Sequence, residues 1–145
     1  MADTTTITNN ARRDWLNGDI DFAADTINMA LYNGTSHDAN TGAYTVTNEA
    51  SGTGYTAKGV VMAGVAIAVD TTNNVAYVDW STDPSWTTAT ITATGCMIFH
   101  DSITTPTADV ASYIGDFSGS KSSSAGTFQV ILPAAAYNTA IVRIS

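Results

Sequence analysis

Apolar and polar residues alternate along much of the chain with a period of two residues. The alternation is regular over residues 61–69, where every second position carries valine, isoleucine or alanine. A longer alternation covers residues 88–99, with a mostly apolar set on one side and a set made mostly of threonine on the other. A period of two is typical of extended strands, and a polar set opposite an apolar one indicates a single covered face. Residues 88–99 are therefore predicted to form a long antiparallel strand that is covered on one side.

About eight such strands follow one another at fairly regular spacing, separated by segments rich in glycine, asparagine and serine. Regularly spaced short strands with turn residues between them predict a β-sandwich or a barrel. No helical pattern of crossover length separates them, which excludes a parallel α/β fold. The sequence therefore predicts an all-β protein, a single β-sandwich over residues 18–145 with immunoglobulin-like or jelly-roll-like connections.

The first 17 residues differ from the rest of the chain. Positions 4–8 are uncharged and β-branched, without an apparent packing partner. Asn10 can then cap a short helix over residues 11–16, and Gly18 stands where a left-handed residue would end it. We expect residues 1–17 to form an N-terminal arm with one short helix, loose by itself and ordered on a neighbouring molecule.

Charge is scarce and mostly negative. Lys and Arg number 5 against 13 Asp and Glu, a formal net charge of -8, and charged residues make up 12% of the chain, against about 25% in ordinary soluble domains. Binding to nucleic acid or to an anionic membrane calls for clustered basic side chains, so neither partner is expected. A polar surface with few charges favours a protein that is packed against other subunits, and it suits a secreted carbohydrate binder almost as well.

The beginning of the chain carries no secretory signal pattern. It has neither the basic flank nor the apolar run of a signal peptide, and the longest apolar stretch is about half of a membrane span. We therefore expect synthesis and folding in a cytosol.

Residues that could carry catalytic chemistry are few and poorly spaced. Cys96 and His100 fall on one face of the same predicted strand, but four residues along a strand span about 13 Å, too far for a nucleophile and its base. Glu49 is the only glutamate, and a glycosidase would need a second carboxylate placed across a cleft from it. We therefore expect no enzyme activity and no cofactor.

Two pairs of aspartates near predicted turns could supply oxygen ligands to Ca²⁺: Asp19 with Asp21, and Asp79 with Asp83. Neither pair belongs to a segment that matches the twelve-residue calcium loop. Aspartate at a turn more often caps backbone amides, so no metal site is predicted.

Two tryptophans flank the turn at Asp83 and Pro84. If Trp80 and Trp86 are exposed, they could stack on the sugar rings of a glycan; if buried, they would close the end of the sandwich. Large aromatic side chains dominate core burial, which favours the second interpretation.

Several short segments follow one another in a particular order from about Leu16 to the C-terminus. They are GDIDF at 18–22, DTINMAL at 25–31, SGTGYTA at 51–57, VD at 69–70, VAYVD at 75–79, and Trp86 followed by ATITA at 89–93. Their order resembles that of a group of small virion proteins of tailed bacteriophages.

The resemblance implies a structural protein of the virion, made in the cytoplasm of the bacterial host. It implies a β-sandwich, frequently a homotrimer, and a capsid decoration (cement) subunit that binds the major capsid protein and stabilises the head. The alternative within the same group is a head- or tail-fibre subunit that binds a receptor or a glycan. No catalytic residues come with the resemblance.

The N-terminal arm matches the group least well, as a protein-specific attachment segment would. We expect the capsid contact to involve Thr4, Thr5, Thr6, Ile7, Arg12 and Trp15, with Trp15 as the main anchor. In the fibre alternative, the glycan contact would involve Trp80 and Trp86.

Overall fold

A computed structural model describes residues 5–34 and 37–145 of the chain. Within them, ten strands and one helix follow one another in the sequence. They are β1 (Thr6–Ile7), α1 (Asn9–Asn17), β2 (Ile27–Tyr32), β3 (Val60–Val61), β4 (Val65–Asp70), β5 (Val75–Trp80), β6 (Ser85–Ala89), β7 (Thr92–His100), β8 (Ala111–Ser122), β9 (Gly126–Gln129) and β10 (Val142–Ile144).

The strands form antiparallel sheets of five, three and two strands. Their order, which the sequence left open, is β1-β8-β7-β2-β3 in the first sheet, β10-β5-β4 in the second and β6-β9 in the third. The prediction of an all-β, sandwich-like fold is confirmed. The helix is confirmed as well, although its cap is Thr8 rather than Asn10, and Gly18 ends it in the left-handed conformation with φ of 76°.

The main core lies between the five-stranded sheet and the two smaller sheets. Strands β2 and β7 supply one side, and β5, β6, β9 and β10 supply the other. The larger core side chains on these strands are Ile27, Met29, Leu31, Val78, Trp80, Trp86, Ile98, Phe128 and Val142. Apolar burial from all three sheets makes these strands one folding unit.

The opposite face of the five-stranded sheet is covered too. Tyr32, Met97 and Phe99 form a second apolar cluster there, and the ring of Tyr44 stacks on that of Phe99 with centroids 4.7 Å apart. All of β2 and the last six residues of β7 are consequently buried. The predicted single covered face is wrong for β7. Cys96 and Ile98, which the alternation assigns to solvent, lie in the main core, while a segment distant in sequence covers Met97 and Phe99 on the other face.

The predicted strand over residues 88–99 is also two strands. β6 ends at Ala89 and β7 begins at Thr92 in a different sheet. The pairing of β7 with β8 then shifts register between Ala93 and Gly95. A register shift exchanges the faces of the following residues, so the alternation does not keep one phase along the strand.

The regular alternation over residues 61–69 is divided between β3 and β4. Gly64 between them has φ of 75°, and a Cβ there would fall 2.1 Å from Ser81 Oγ, so this close approach requires glycine. The extended conformation was predicted correctly, yet the apolar side chains remain outside the core: Ile67 is 56% exposed and Val69 67%.

The described part of the N-terminal segment belongs to the sheet. Thr6 pairs with Ile114 and Ile7 with Tyr113, so β1 extends the five-stranded sheet along β8. This differs from the expectation of a loose segment, because the twelve-residue β8 offers an edge that the local sequence does not reveal. Thr4 lies outside the described residues.

Candidate functional site

Thr8 fixes the start of α1 to the five-stranded sheet. Its side chain is fully buried; Oγ1 accepts a hydrogen bond from the Ala11 N–H at 3.1 Å and donates to the Ala111 carbonyl. Capping of this kind satisfies an N–H that the first helical turn leaves unpaired. The position of the helix on the sheet is therefore set by hydrogen bonds as well as by packing.

The last turn of α1 carries two apolar side chains that are not fully buried in the core. Trp15 is half-buried and packs on Phe22 with ring centroids 5.1 Å apart. Its neighbour Leu16 is 91% exposed. A single exposed leucine is ordinary on a protein surface, so its meaning depends on what surrounds it.

Leu16 stands at the rim of a surface groove of about 460 Å³ between α1 and β10, here called the α1–β10 groove. It is lined by Ile7, Arg12, Trp15, Leu16, Arg143, Ile144 and Ser145. Four of these seven residues are apolar, and Ile144 is itself 53% exposed. Contiguous exposed apolar surface is typical of a binding site.

The polar part of the α1–β10 groove is positive. Arg12 and Arg143 are two of only five basic residues in a chain with 13 acidic ones. The Arg143 guanidinium donates to the carbonyl of Asn138, which holds it beside the groove. A groove lined by apolar side chains and two arginines suits a partner segment that combines apolar and acidic groups.

A second groove of about 420 Å³ adjoins the first, since both are lined by Ile7 and Arg143. Thr5 and Thr6 belong to its wall. The structure thus brings five of the six predicted attachment residues to two adjoining grooves. They are Thr5, Thr6, Ile7, Arg12 and Trp15.

Sequence reasoning missed Leu16, Arg143 and Ile144. An apolar side chain at the end of a short polar helix was a usable signal for Leu16. Arg143 and Ile144 come from the other end of the chain, because β10 pairs with β5, and no local pattern indicates that pairing.

The two tryptophans of the glycan hypothesis are core residues. Trp80 and Trp86 are each 3% exposed. A sugar ring stacks on an open aromatic face, and neither indole offers one. The interpretation that these rings close the sandwich agrees with their burial, whereas the exposure that the glycan contact needs is contradicted.

His100 at the end of β7 is buried against Phe22, with ring centroids 4.8 Å apart. Its Nδ1 lies 2.8 Å from Asp25 Oδ2, whereas Nε2 is buried without a hydrogen-bond partner among the described residues. This arrangement fits a neutral ring that donates from Nδ1. Cys96 lies in the main core, and neither ring nitrogen pairs with it in the described part of the chain.

Burial makes His100 sensitive to pH. It lowers the pKa of the imidazole, and Asp25, followed by Asp14 and Asp21, opposes this shift. Because the folded pKa lies below the ordinary value of 6.5, the unfolded chain binds a proton first as the pH falls. We expect the free energy of unfolding to decrease below about pH 6.5, by at most about 1.4 kcal/mol per pH unit from this group.

Urea unfolding between about pH 8 and pH 5 measures this loss of stability. The variant His100→Gln keeps a donor toward Asp25 and removes the titration, so its stability should fall less steeply with pH. The variant His37→Gln is the matched control. An unchanged slope in His100→Gln would contradict the assignment.

The Glu49 carboxylate accepts three hydrogen bonds. It accepts from the Tyr44 hydroxyl at 2.5 Å, from the Tyr55 hydroxyl at 2.8 Å and from the Lys58 N–H at 2.7 Å. The Tyr55 hydroxyl in turn accepts from the N–H of Leu31 in β2. This only glutamate therefore ties the segment before β3 to the sheet, as expected of a structural group.

Lys58 joins two more carboxylates to the same region. Its Nζ donates to Asp101 and, at 2.9 Å, to Asp109, and these hydrogen bonds raise the pKa of Lys58 to about 12. In the described ranges 5–34 and 37–145, no three His, Cys, Asp or Glu side chains come together as a set of metal ligands. No helix of the described chain has the length and apolarity needed to cross a membrane.

Comparison with protein-family models, with curated proteins and with solved structures finds no match to this chain.

Proposed function

We propose that this protein is a structural subunit of a tailed-bacteriophage virion, a decoration (cement) protein that binds the major capsid protein and stabilises the head. The observation that carries the proposal is the α1–β10 groove, which is lined by the exposed Leu16, the half-buried Trp15 and two arginines, Arg12 and Arg143. It gives the N-terminal segment a surface suited to docking. The order of sequence segments that resembles phage virion proteins supplies the identity of the partner.

The way the charged groups are used agrees with a function at the surface. The carboxylate of Glu49 and those of Asp101 and Asp109 are engaged in hydrogen bonds that hold the fold, and His100 is buried against Asp25. A hydrolase needs a carboxylate or an imidazole that is free to meet its substrate. These four acidic groups and this histidine have structural partners instead.

A decoration protein acts by linkage. It binds the assembled shell and not its separate parts, and so it shifts the equilibrium toward the shell. In a homo-oligomer, for which the resemblance implies a trimer, second and third attachments are effectively intramolecular, so weak individual contacts are sufficient.

The variant Leu16→Asp tests this function. We expect at least a tenfold loss of binding to phage heads assembled without this protein, because a carboxylate would replace the apolar rim of the α1–β10 groove. Co-sedimentation of added protein with such heads measures the binding. Deletion of the arm would be less informative, since Thr8 and Ala11 are buried and their loss would disturb the fold.

The matched control is Val46→Asp, which places the same charge on an aliphatic residue that is 71% exposed and lies outside the groove. It should bind heads as the wild type does. Wild-type protein that stays in the supernatant would contradict the decoration function, and full binding by Leu16→Asp would contradict the docking site. Binding of the wild type to an array of glycans, without binding to heads, would favour the fibre alternative.

A further inference from the structure

The strand β4 is the longest outer strand of the two larger sheets. Its inner side pairs with β5 throughout, from Val65 opposite Trp80 to Asp70 opposite Val75. No strand of the described chain pairs with its outer side, and the other outer strands, β1, β3 and β10, have only two or three residues. A six-residue edge offers a row of backbone N–H and C=O groups to another strand.

This edge lacks the usual protection against association. Natural edges carry lysine, proline, a bulge or a covering loop. β4 contains no lysine or proline, and its pairing with β5 has no register shift. Val65, Ile67 and Val69 are 38%, 56% and 67% exposed. Residues 65–69 of this edge carry no charge and are rich in β-branched side chains, which promotes pairing with another chain.

The sequence of β4 indicates which partner fits it. Residues 65–69 read V-A-I-A-V in both directions. If two copies pair antiparallel about Ile67, Val65 lies opposite the partner's Val69 and Ile67 lies opposite the partner's Ile67. Alanines lie opposite alanines on the other face. Cross-strand pairs of β-branched residues stabilise a sheet, and here each pair consists of identical residue types.

The charges agree with the same register. A net charge of -8 generally opposes the approach of two identical chains. About Ile67, however, Asp70 lies opposite Gly64 of the partner subunit, so no two carboxylates face each other along the paired strands. Like charges directly opposite would destabilise the pairing.

We propose that β4 pairs with β4 of a second copy of this chain across a two-fold axis at Ile67. The three-stranded sheets of the two copies then join into one six-stranded sheet, with the same surface used by both subunits. This interface differs from the trimer contact in the proposed function, because a three-fold axis cannot place a strand opposite itself. Both contacts together, with the two-fold axis perpendicular to the three-fold axis and crossing it, would give a hexamer.

Cysteine substitution tests the register directly. Directly opposite residues of an antiparallel pair have Cα atoms about 4.5–5.5 Å apart, within the range for a disulfide. Ile67→Cys should therefore form a cross-linked dimer under mild oxidation. Val69→Cys should not, because two copies of residue 69 would be separated by four positions, or about 13 Å, along the strand. The wild type, with Cys96 buried, gives the background.

The mass of the full-length protein in solution is the second measurement. Light scattering should give twice the chain mass, or six times if the trimer contact also forms. Ile67→Lys, which opposes two ammonium groups on the axis, should reduce these masses to one and three chains, whereas Val46→Lys should leave them unchanged.

A wild type that is monomeric or trimeric, a dimer that persists in Ile67→Lys, or equal cross-linking of Val69→Cys would overturn the proposal. The proposed binding to phage heads uses the α1–β10 groove and not the outer side of β4. Failure of the decoration function would therefore leave these results intact.

Discussion

Trp86→Ala is expected to lower the free energy of unfolding by about 3–5 kcal/mol. The Trp86 ring is 3% exposed. It stacks on Tyr55 with centroids 5.9 Å apart and meets Phe128 edge-to-face with centroids 6.1 Å apart. It joins the two-stranded sheet to the main core, and removing it leaves a cavity between sheets. Equilibrium unfolding in urea measures the loss.

Trp86→Phe is the matched control. It keeps an aromatic ring in the same site and removes the indole Nε1, which is buried without a hydrogen-bond partner in the described part of the chain. Its loss of stability should be clearly smaller than that of Trp86→Ala. If Trp86→Ala changed stability by less than about 0.5 kcal/mol, as surface substitutions do, the ring would not be a core residue.

The second large effect is expected for Glu49→Gln, a loss of about 2–3 kcal/mol. Glutamine fits the same space, but its amide group donates where the carboxylate accepted, so it opposes one of the three donors at this site. Burial and the hydrogen bond to Glu49 raise the pKa of Tyr44 to about 12, and burial also raises that of Tyr55. Both phenols therefore stay protonated donors at neutral pH.

A double-mutant cycle separates this interaction from general disturbance. Tyr44→Phe removes one donor, and in the double variant with Glu49→Gln the losses should be less than additive, because both changes disrupt the same hydrogen bond. Purely additive losses, or a Glu49→Gln variant as stable as the wild type, would show that the network does not hold the segment before β3.

Local patterns predicted conformation more successfully than burial. Capping and stop residues around α1 act within a few positions, so the helix was predicted within about two residues of its observed ends. The alternation over residues 61–69 correctly predicted extended backbone. That Ile67 lies outside the core depends on which strands surround it, and a single strand carries no such information.

The burial of β7 on both faces also shows that a local pattern does not predict which residues are buried. Threonine-rich alternation predicted one solvent face, yet Cys96 and Ile98 from that face lie in the main core. Tyr44 and the segment around it cover Met97 and Phe99 on the other face. This covering segment has no regular periodicity of its own. Hydrogen bonds to the sheet, such as that from the Ala111 N–H in β8 to the Gly42 carbonyl, help to fix it there, and such long-range partners cannot be deduced from spacing.

Only the residues of the candidate site on or near α1 were predictable from the sequence, and the residues on β10 were not. Ile7, Arg12 and Trp15 are close in sequence, and they belong to the N-terminal segment that differs from the rest of the chain. Arg143 and Ile144 form the opposite wall of the groove, and the pairing of β10 with β5 places them there. Sites assembled from both ends of a chain require the topology, which the sequence left open here.

The pairing of β1 with β8 also determines when the N-terminal segment can fold during synthesis. Thr8 is bound to Ala111, 103 positions later, and synthesis proceeds from the N-terminus. In a nascent chain, α1 is too short to be stable alone, and β1 has no edge to join until β8 has emerged. β10, the far wall of the proposed docking groove, is translated after every other described strand. A nascent chain that stops before β10 therefore lacks the complete groove.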